Sequence, residues 1–280
     1  MTPGEATARR RTAEAFDGVP LHVWDAGPVD APALLLLHGI GQSGLAWEPL
    51  WRSSLAEDFR LVCPDLRGHG RSGVPDDPAG LTAPAVWGGD VQAVIHALGL
   101  AAPVVVGWSY GGLVAIDHLA TCGGGRALVL VCAPAGSGIR GARAFYDPGF
   151  LALAAGLGAT DAATYVAAQQ ALVERCTAEP LEPLLTAALL GEAVRTSPAT
   201  IAGVQQRSID GRSALAGSAV PLLVVTGRRD AVVAAASGEA LLSARPDGRH
   251  VELDTGHTPF IEDTDGFVDA LTDFLGALPA

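Results

Sequence analysis

Lysine is absent from this chain of 280 residues, and arginine supplies all 18 basic side chains. Against 30 acidic residues this leaves a formal net charge of −12. Such a balance offers little basic surface to displace the counterions of a nucleic acid, so that class of partner is excluded. Cysteine is scarce, and Cys63, Cys122, Cys132 and Cys176 form no C-x-x-C pair. With no secretion signal they read as buried or idle thiols rather than a disulfide framework. No His/Cys/Asp cluster has metal-ligand spacing, and neither a metal nor another cofactor is expected. No apolar run approaches the roughly 18–20 residues that span a bilayer, so no membrane association is expected. The opening MTPGEATARRRTAEAF has basic residues with no apolar stretch behind them, which is not a signal peptide. A ragged polar start, disordered to about residue 10, and a cytoplasmic location are the expectations. Internal repeats and a linker between independent domains are missing too, and nothing in the text sets an oligomeric state.

What is present is apolar, at 49% of residues with only 17% charged. A chain of this size buries roughly three quarters of its unfolded surface. Short apolar runs alternate with longer helical text, which implies βαβ units and a mostly parallel sheet with helices on both faces. The expected strands are 20–26, 33–37, 59–63, 103–107, 126–131, 221–227 and 249–253; helical stretches fall near 45–56, 82–98, 110–121, 231–243 and 264–277. The strands read as continuous Val/Leu runs, the pattern of strands covered on both faces. From Ala135 to about Arg212 the rhythm breaks into Ala/Leu-rich helical text without a convincing strand. That is too long for a loop in a compact domain. An inserted helical cap at 135–212, on a core made of 1–134 and 213–280, is the expectation.

Two glycine loops compete for the function. In ALLLLHGIGQSG (33–44), Gly39, Gly41 and Gly44 satisfy G-x-G-x-x-G, and Asp65 follows at the end of a later strand. Those are the parts of a dinucleotide site. The second loop, PVVVGWSYGG (103–112), is a strand entering Gly107-Trp108-Ser109-Tyr110-Gly111 and then a helix. G-x-S-x-G in that context is a nucleophile elbow. Its serine stands on a strained turn, where side chains at 107 and 111 would strike neighbouring backbone. A serine hydroxyl needs a base, and the base needs an orienting group. Asp230, just past PLLVVTG, and His257, in DTGHTPF, both follow strands whose ends converge on one edge of a parallel sheet. Asp254 is a rival for the acid role.

Here the sequence resembles the α/β-hydrolase family over residues 18–276. HGIGQS is similar to its oxyanion loop, DLRGHGRS (65–72) to a segment after its fourth strand, and GWSYGG to its elbow. TGRRD is similar to its acid turn and GHTPFIE to its histidine loop. The dinucleotide alternative explains only 33–65 and leaves the later motifs as coincidences. The resemblance implies Ser109 as nucleophile, His257 as base and Asp230 as orienting acid, with the backbone amides of Ile40 and Tyr110 holding the oxyanion. His38, Asp65, Arg67 and His69 read as bracing. Gln42, Ser43, Trp108 and Thr258 are candidates for the substrate pocket, with Trp108 favoured as packing.

A serine at 109 argues against the carboxylate-nucleophile dehalogenases and epoxide hydrolases. Carbon–carbon bond hydrolases carry Trp after the histidine, where this chain has Thr258. GHTPFIE is closer to small esterases, enol-lactonases and cofactor-free perhydrolases. The expected activity is hydrolysis of a small to medium apolar ester or lactone through an acyl-enzyme. Thioesterase-like acyl transfer, cyclisation or C–C hydrolysis on the same triad is the alternative, and a noncatalytic binding protein the third class. The small-molecule partner is then an ester, lactone or thioester. Among the arginines of the interval, Arg140, Arg143, Arg175, Arg195, Arg207 and Arg212, one could pair with a substrate carboxylate.

Overall fold

The computed structural model describes residues 8–76 and 78–279. Its main sheet contains β1 (Arg9–Glu14), β2 (Pro20–Ala26), β3 (Ala33–Leu37), β4 (Arg60–Pro64), β5 (Val104–Trp108), β6 (Ala127–Val131), β9 (Leu222–Gly227) and β10 (Arg249–Leu253). The order across the sheet is β1-β2-β4-β3-β5-β6-β9-β10. The β1–β2 and β2–β4 pairs are antiparallel, and the rest are parallel. This is an α/β-hydrolase sheet, with β5 near its middle.

The continuous apolar runs do cover both faces. On one side Leu35, Leu37, Val105, Leu128 and Leu130 join a core with helices α3 (Pro84–Ala97), α4 (Tyr110–Cys122) and α10 (Ala235–Ala244). On the other, Leu34, Leu36, Val106, Val129 and Val225 pack with α1 (Glu48–Trp51), α2 (Leu55–Asp58), α11 (Pro259–Glu262) and α12 (Thr264–Gly276). Helix α12 presents Phe267, Leu271 and Phe274 at helical spacing, and Asp263 caps it by accepting from Gly266 N at 3.0 Å.

Two expectations need correction. The helix near 45–56 is a 3₁₀ turn at Gly44–Trp47 followed by the separate short helices α1 and α2. Ser53 breaks it: its hydroxyl donates to Leu50 O at 2.9 Å and accepts from Leu55 N at 3.3 Å, competing with the helical ladder. The ragged start is also wrong from Arg9 on, where β1 pairs with β2; residues 1–7 lie outside the described residues. RRRTAE is too polar to read as a strand. Asp25, fully buried on β2, holds it by taking Arg9 at 3.0 Å as well as Arg60 at 3.0 Å.

Between β6 and β9 the chain runs through α5 (Pro148–Leu153), α6 (Ala162–Arg175), α7 (Pro183–Arg195), α8 (Pro198–Gln205) and α9 (Gly211–Ala216). Two two-residue strands, β7 (Gly136–Ser137) and β8 (Ile209–Asp210), pair antiparallel and bring the two ends of this interval together.

Candidate active site

Ser109 sits between β5 and α4 with φ 54 and ψ −119, a strained conformation for a non-glycine residue. Its glycine neighbours are sterically required. A Cβ on Gly107 would stand 2.4 Å from Gly111 O, and one on Gly111 would stand 2.2 Å from Leu37 O. Gly39 lets the preceding loop approach, since a Cβ there would meet Ser109 Cβ at 3.3 Å. As the first residue of α4, Tyr110 has an amide with no intrahelical acceptor.

The ends of β9 and β10 deliver the next two residues. Arg228 N and Arg229 N donate to Leu253 O and Thr255 O, both at 2.9 Å, stitching one turn to the other. Asp230 Oδ1 accepts from Val232 N at 2.8 Å and Val233 N at 2.9 Å, while Oδ2 accepts from His257 Nδ1 at 2.8 Å. With Nδ1 committed as the donor, Nε2 is left with its lone pair. Both side chains are buried, at 2% exposed for His257 and 7% for Asp230. The rival Asp254 instead pairs with Arg228 at 2.9 Å on the surface, 62% exposed.

The histidine loop is held on three sides. Trp108 Nε1 donates to His257 O at 2.7 Å, and His257 N donates to Cys176 O at 2.8 Å. Glu262 accepts from Gly256 N at 3.0 Å, Ala178 N at 2.7 Å and Thr258 Oγ1 at 3.1 Å. The tie from Glu262 to Ala178 N and the anchoring role of Trp108 are not readable from sequence, because those partners are distant backbone groups.

The loop 38–44 is braced from beneath. His38 is fully buried; its Nε2 accepts from Leu66 N at 2.9 Å, so Nδ1 carries the proton and donates to Gly39 O at 2.7 Å. Burial pushes its pKa below the ordinary value. Asp65 accepts from Gly44 N and Arg71 N, both at 2.8 Å. Its carboxylate faces inward and cannot serve a ribose, which removes the dinucleotide alternative. Arg67 is fully buried against Asp90 and Asp17, with Nε to Asp90 Oδ2 at 2.6 Å. All four residues expected to brace this region are buried.

Ser109 and His257 line one cavity of about 380 Å³, together with Ile40, Gln42, Trp108 and Tyr110. Ser43 and Thr258 do not line it. The Ser43 hydroxyl caps the 3₁₀ turn by accepting from Leu45 N at 3.3 Å, and the Thr258 hydroxyl lies between Glu262 Oε1 and Cys176 O, each at 3.1 Å. The 135–212 interval supplies apolar wall through Tyr146, Phe150, Leu151, Leu172, Val173 and Val204. Of its arginines, Arg143 is the one that reaches the cavity. Arg207 is instead buried behind the elbow, donating to Tyr110 Oη at 2.6 Å and to Asp117, and lying 5.0 Å above the Trp87 ring. Cys132 comes close to the Asp230–His257 pair, with ligand-capable atoms within 4.8 Å of one another. Burial pushes its thiol pKa well up, and a protonated thiol is a poor metal ligand.

Residues 34–270 match the model of the alpha/beta hydrolase family. The chain belongs to that family. A pimeloyl-acyl-carrier-protein methyl ester esterase of Xanthomonas campestris is 34% identical over 89% of this chain and 96% of its own length. The solved structure of an esterase from Rhodococcus sp. ECU1013 superposes with a TM-score of 0.89 at 32% identity, covering 96% of this chain and 99% of that one. The enol-lactonase from Burkholderia xenovorans LB400 superposes with a TM-score of 0.80 at 26% identity, over 95% of this chain and 100% of the other. No helix among the described residues is long and apolar enough to cross a membrane.

Proposed function

We propose that this α/β hydrolase cleaves a carboxylic ester or lactone of a small to medium apolar substrate through an acyl-enzyme on Ser109. One observation carries the assignment: Ser109 and His257 open onto the same apolar cavity, and the imidazole is held there by Asp230 at 2.8 Å. The esterase and lactonase names of its relatives support the bond type.

In this mechanism Ser109 Oγ attacks the acyl carbon while His257 Nε2 takes its proton. Asp230 keeps Nδ1 protonated and stabilises the imidazolium that forms. The amides of Ile40 and Tyr110 hold the oxyanion, each donor contributing about 3 kcal/mol in the transition state. Collapse expels the alkoxide, which takes the proton from His257. Water then repeats the sequence on the acyl-enzyme, releasing the acid and restoring Ser109. A lactone follows the same steps and leaves as one hydroxy acid.

The interval 135–212 serves as the cap that sizes the acyl pocket. At about 380 Å³ the cavity lies near the lower end of small-molecule sites. The test is hydrolysis of p-nitrophenyl acetate, butyrate, hexanoate and decanoate by the wild-type chain and Ser109→Ala. A chain-length optimum below decanoate, abolished in the variant, is expected. Turnover that survives Ser109→Ala refutes the nucleophile assignment.

A further inference from the structure

Between the loop 38–44 and helices α6 and α7 lies a polar seam that the steps above do not use. Gln42 occupies its cavity end. The residue is 7% exposed, and its Nε2 donates to Leu189 O of α7 at 3.3 Å. Its Oε1 is buried with no hydrogen-bond partner among the described residues. Gln169 of α6 is 1% exposed, and its Oε1 lies 3.3 Å from the point where a Cβ on Gly41 would stand. That oxygen is unpartnered as well. Thr196, at the C-terminal end of α7, is fully buried with an unpartnered Oγ1, while its carbonyl and that of Ala193 take the Tyr165 hydroxyl of α6.

Buried polar atoms of folded proteins are hydrogen-bonded, and where protein supplies no partner, ordered water does. With Gln169 Nε2, four such atoms lie on the loop 38–44 and on helices α6 and α7, and Gln42 reaches the cavity, whose wall is otherwise mostly apolar. The helix above them is loosely seated. Helix α7 buries only Ala193, and polar contacts hold it down: Tyr165 Oη to Ala193 O at 3.1 Å, Gln42 to Leu189 O, Arg195 to Gly70 O at 3.2 Å, and Arg71 with Glu192 at 3.7 Å. A helix held this way opens locally at little cost, so water beneath it exchanges with solvent.

We propose that this seam is the inlet for hydrolytic water, with Gln169 and Thr196 holding ordered water and Gln42 passing it to the acyl-enzyme. The inference rests on the ester-hydrolase function proposed above. In the step it serves, Gln42 Oε1 accepts one hydrogen of the water, whose oxygen attacks the acyl carbon. The second proton goes to His257 Nε2 and then to Ser109 Oγ as the carbon–Oγ bond breaks, and the carboxylic acid leaves.

The test is a partition. Wild type, Gln42→Leu, Gln169→Leu and Thr196→Val turn over p-nitrophenyl hexanoate in the presence of methanol, and methyl hexanoate is measured against hexanoate. Both products arise from one acyl-enzyme, so changes in acylation cancel. The ratio is expected to rise about fivefold in Gln42→Leu, the effect of one hydrogen bond, and to rise less in the other two. An unchanged ratio in all three overturns the inlet. Inability of wild type to form the acyl-enzyme, read as unreactivity of Ser109 to a phosphonate, defeats the ester-hydrolase function instead. Should a variant not fold, a crystal structure of wild type decides: water bonded to Gln42 Oε1 and Gln169 Oε1 supports the inlet, and a dry seam overturns it.

Discussion

Trp108 does two things with one side chain. Its ring packs edge-on against Phe260, with centroids 5.2 Å apart, and its N–H holds His257 O at 2.7 Å. Trp108→Phe keeps most of the packing and removes only the donor. A single hydrogen bond contributes about 0.5–1.5 kcal/mol, so kcat/KM for a p-nitrophenyl ester is expected to fall roughly two- to tenfold while Ser109 still reacts with a phosphonate. Arg207 makes the opposite case, a residue whose removal is structural before it is catalytic. Arg207→Met leaves Asp117 buried without its partner and is expected to cost about 3–5 kcal/mol of unfolding free energy by urea titration. Pairing it with Asp117→Leu is expected to recover most of that loss. A single variant as stable as wild type would show that Arg207 is not needed to compensate Asp117.

At the scale of elements, the elbow depends on absent side chains. Gly111→Ala places a Cβ 2.2 Å from Leu37 O, in a contact with backbone that no rotamer relieves. The expected result is a loss of about 1–3 kcal/mol in stability, read as a lowered melting temperature, together with loss of turnover. Most elements of this kind were legible. β3 and β6 are unbroken apolar runs, β5 and β9 open as Val/Leu runs, and the order of the glycine, aspartate and histidine turns named the candidate site. What stayed hidden has physical causes. β1 is polar text made into a strand by the buried carboxylate of Asp25, and α1 and α2 are separated by the hydroxyl of Ser53. Glu262 reaches Ala178, 84 residues away, and Arg207 reaches Tyr110, 97 residues away, and no local pattern announces such contacts.

For the whole molecule, three buried histidines set the response to acid. Burial pushes His69 down to about 3 and His118 to about 4, and lowers His38 as well. An unfolded histidine titrates near 6.5, so below that pH the unfolded chain binds protons that the folded chain refuses. The stability is therefore complete above about pH 6.5 and is lost as pH falls toward 4. Urea titrations at pH 7 and pH 5 are expected to differ by at least about 2 kcal/mol, with the lower value at pH 5. Equal values would mean that these imidazoles are not excluded from protonation. The β7–β8 ladder has a consequence of another kind. It sets Gly136 beside Asp210, so the chain threaded between those two residues leaves and returns at one doorway. Loop-closure entropy grows by only about 0.6 kcal/mol for each doubling of length. Chain within the segment can thus be lengthened or shortened at little entropic cost, wherever Cys176, Ala178 and Arg207 keep their contacts with the His257 loop, Glu262 and Asp117.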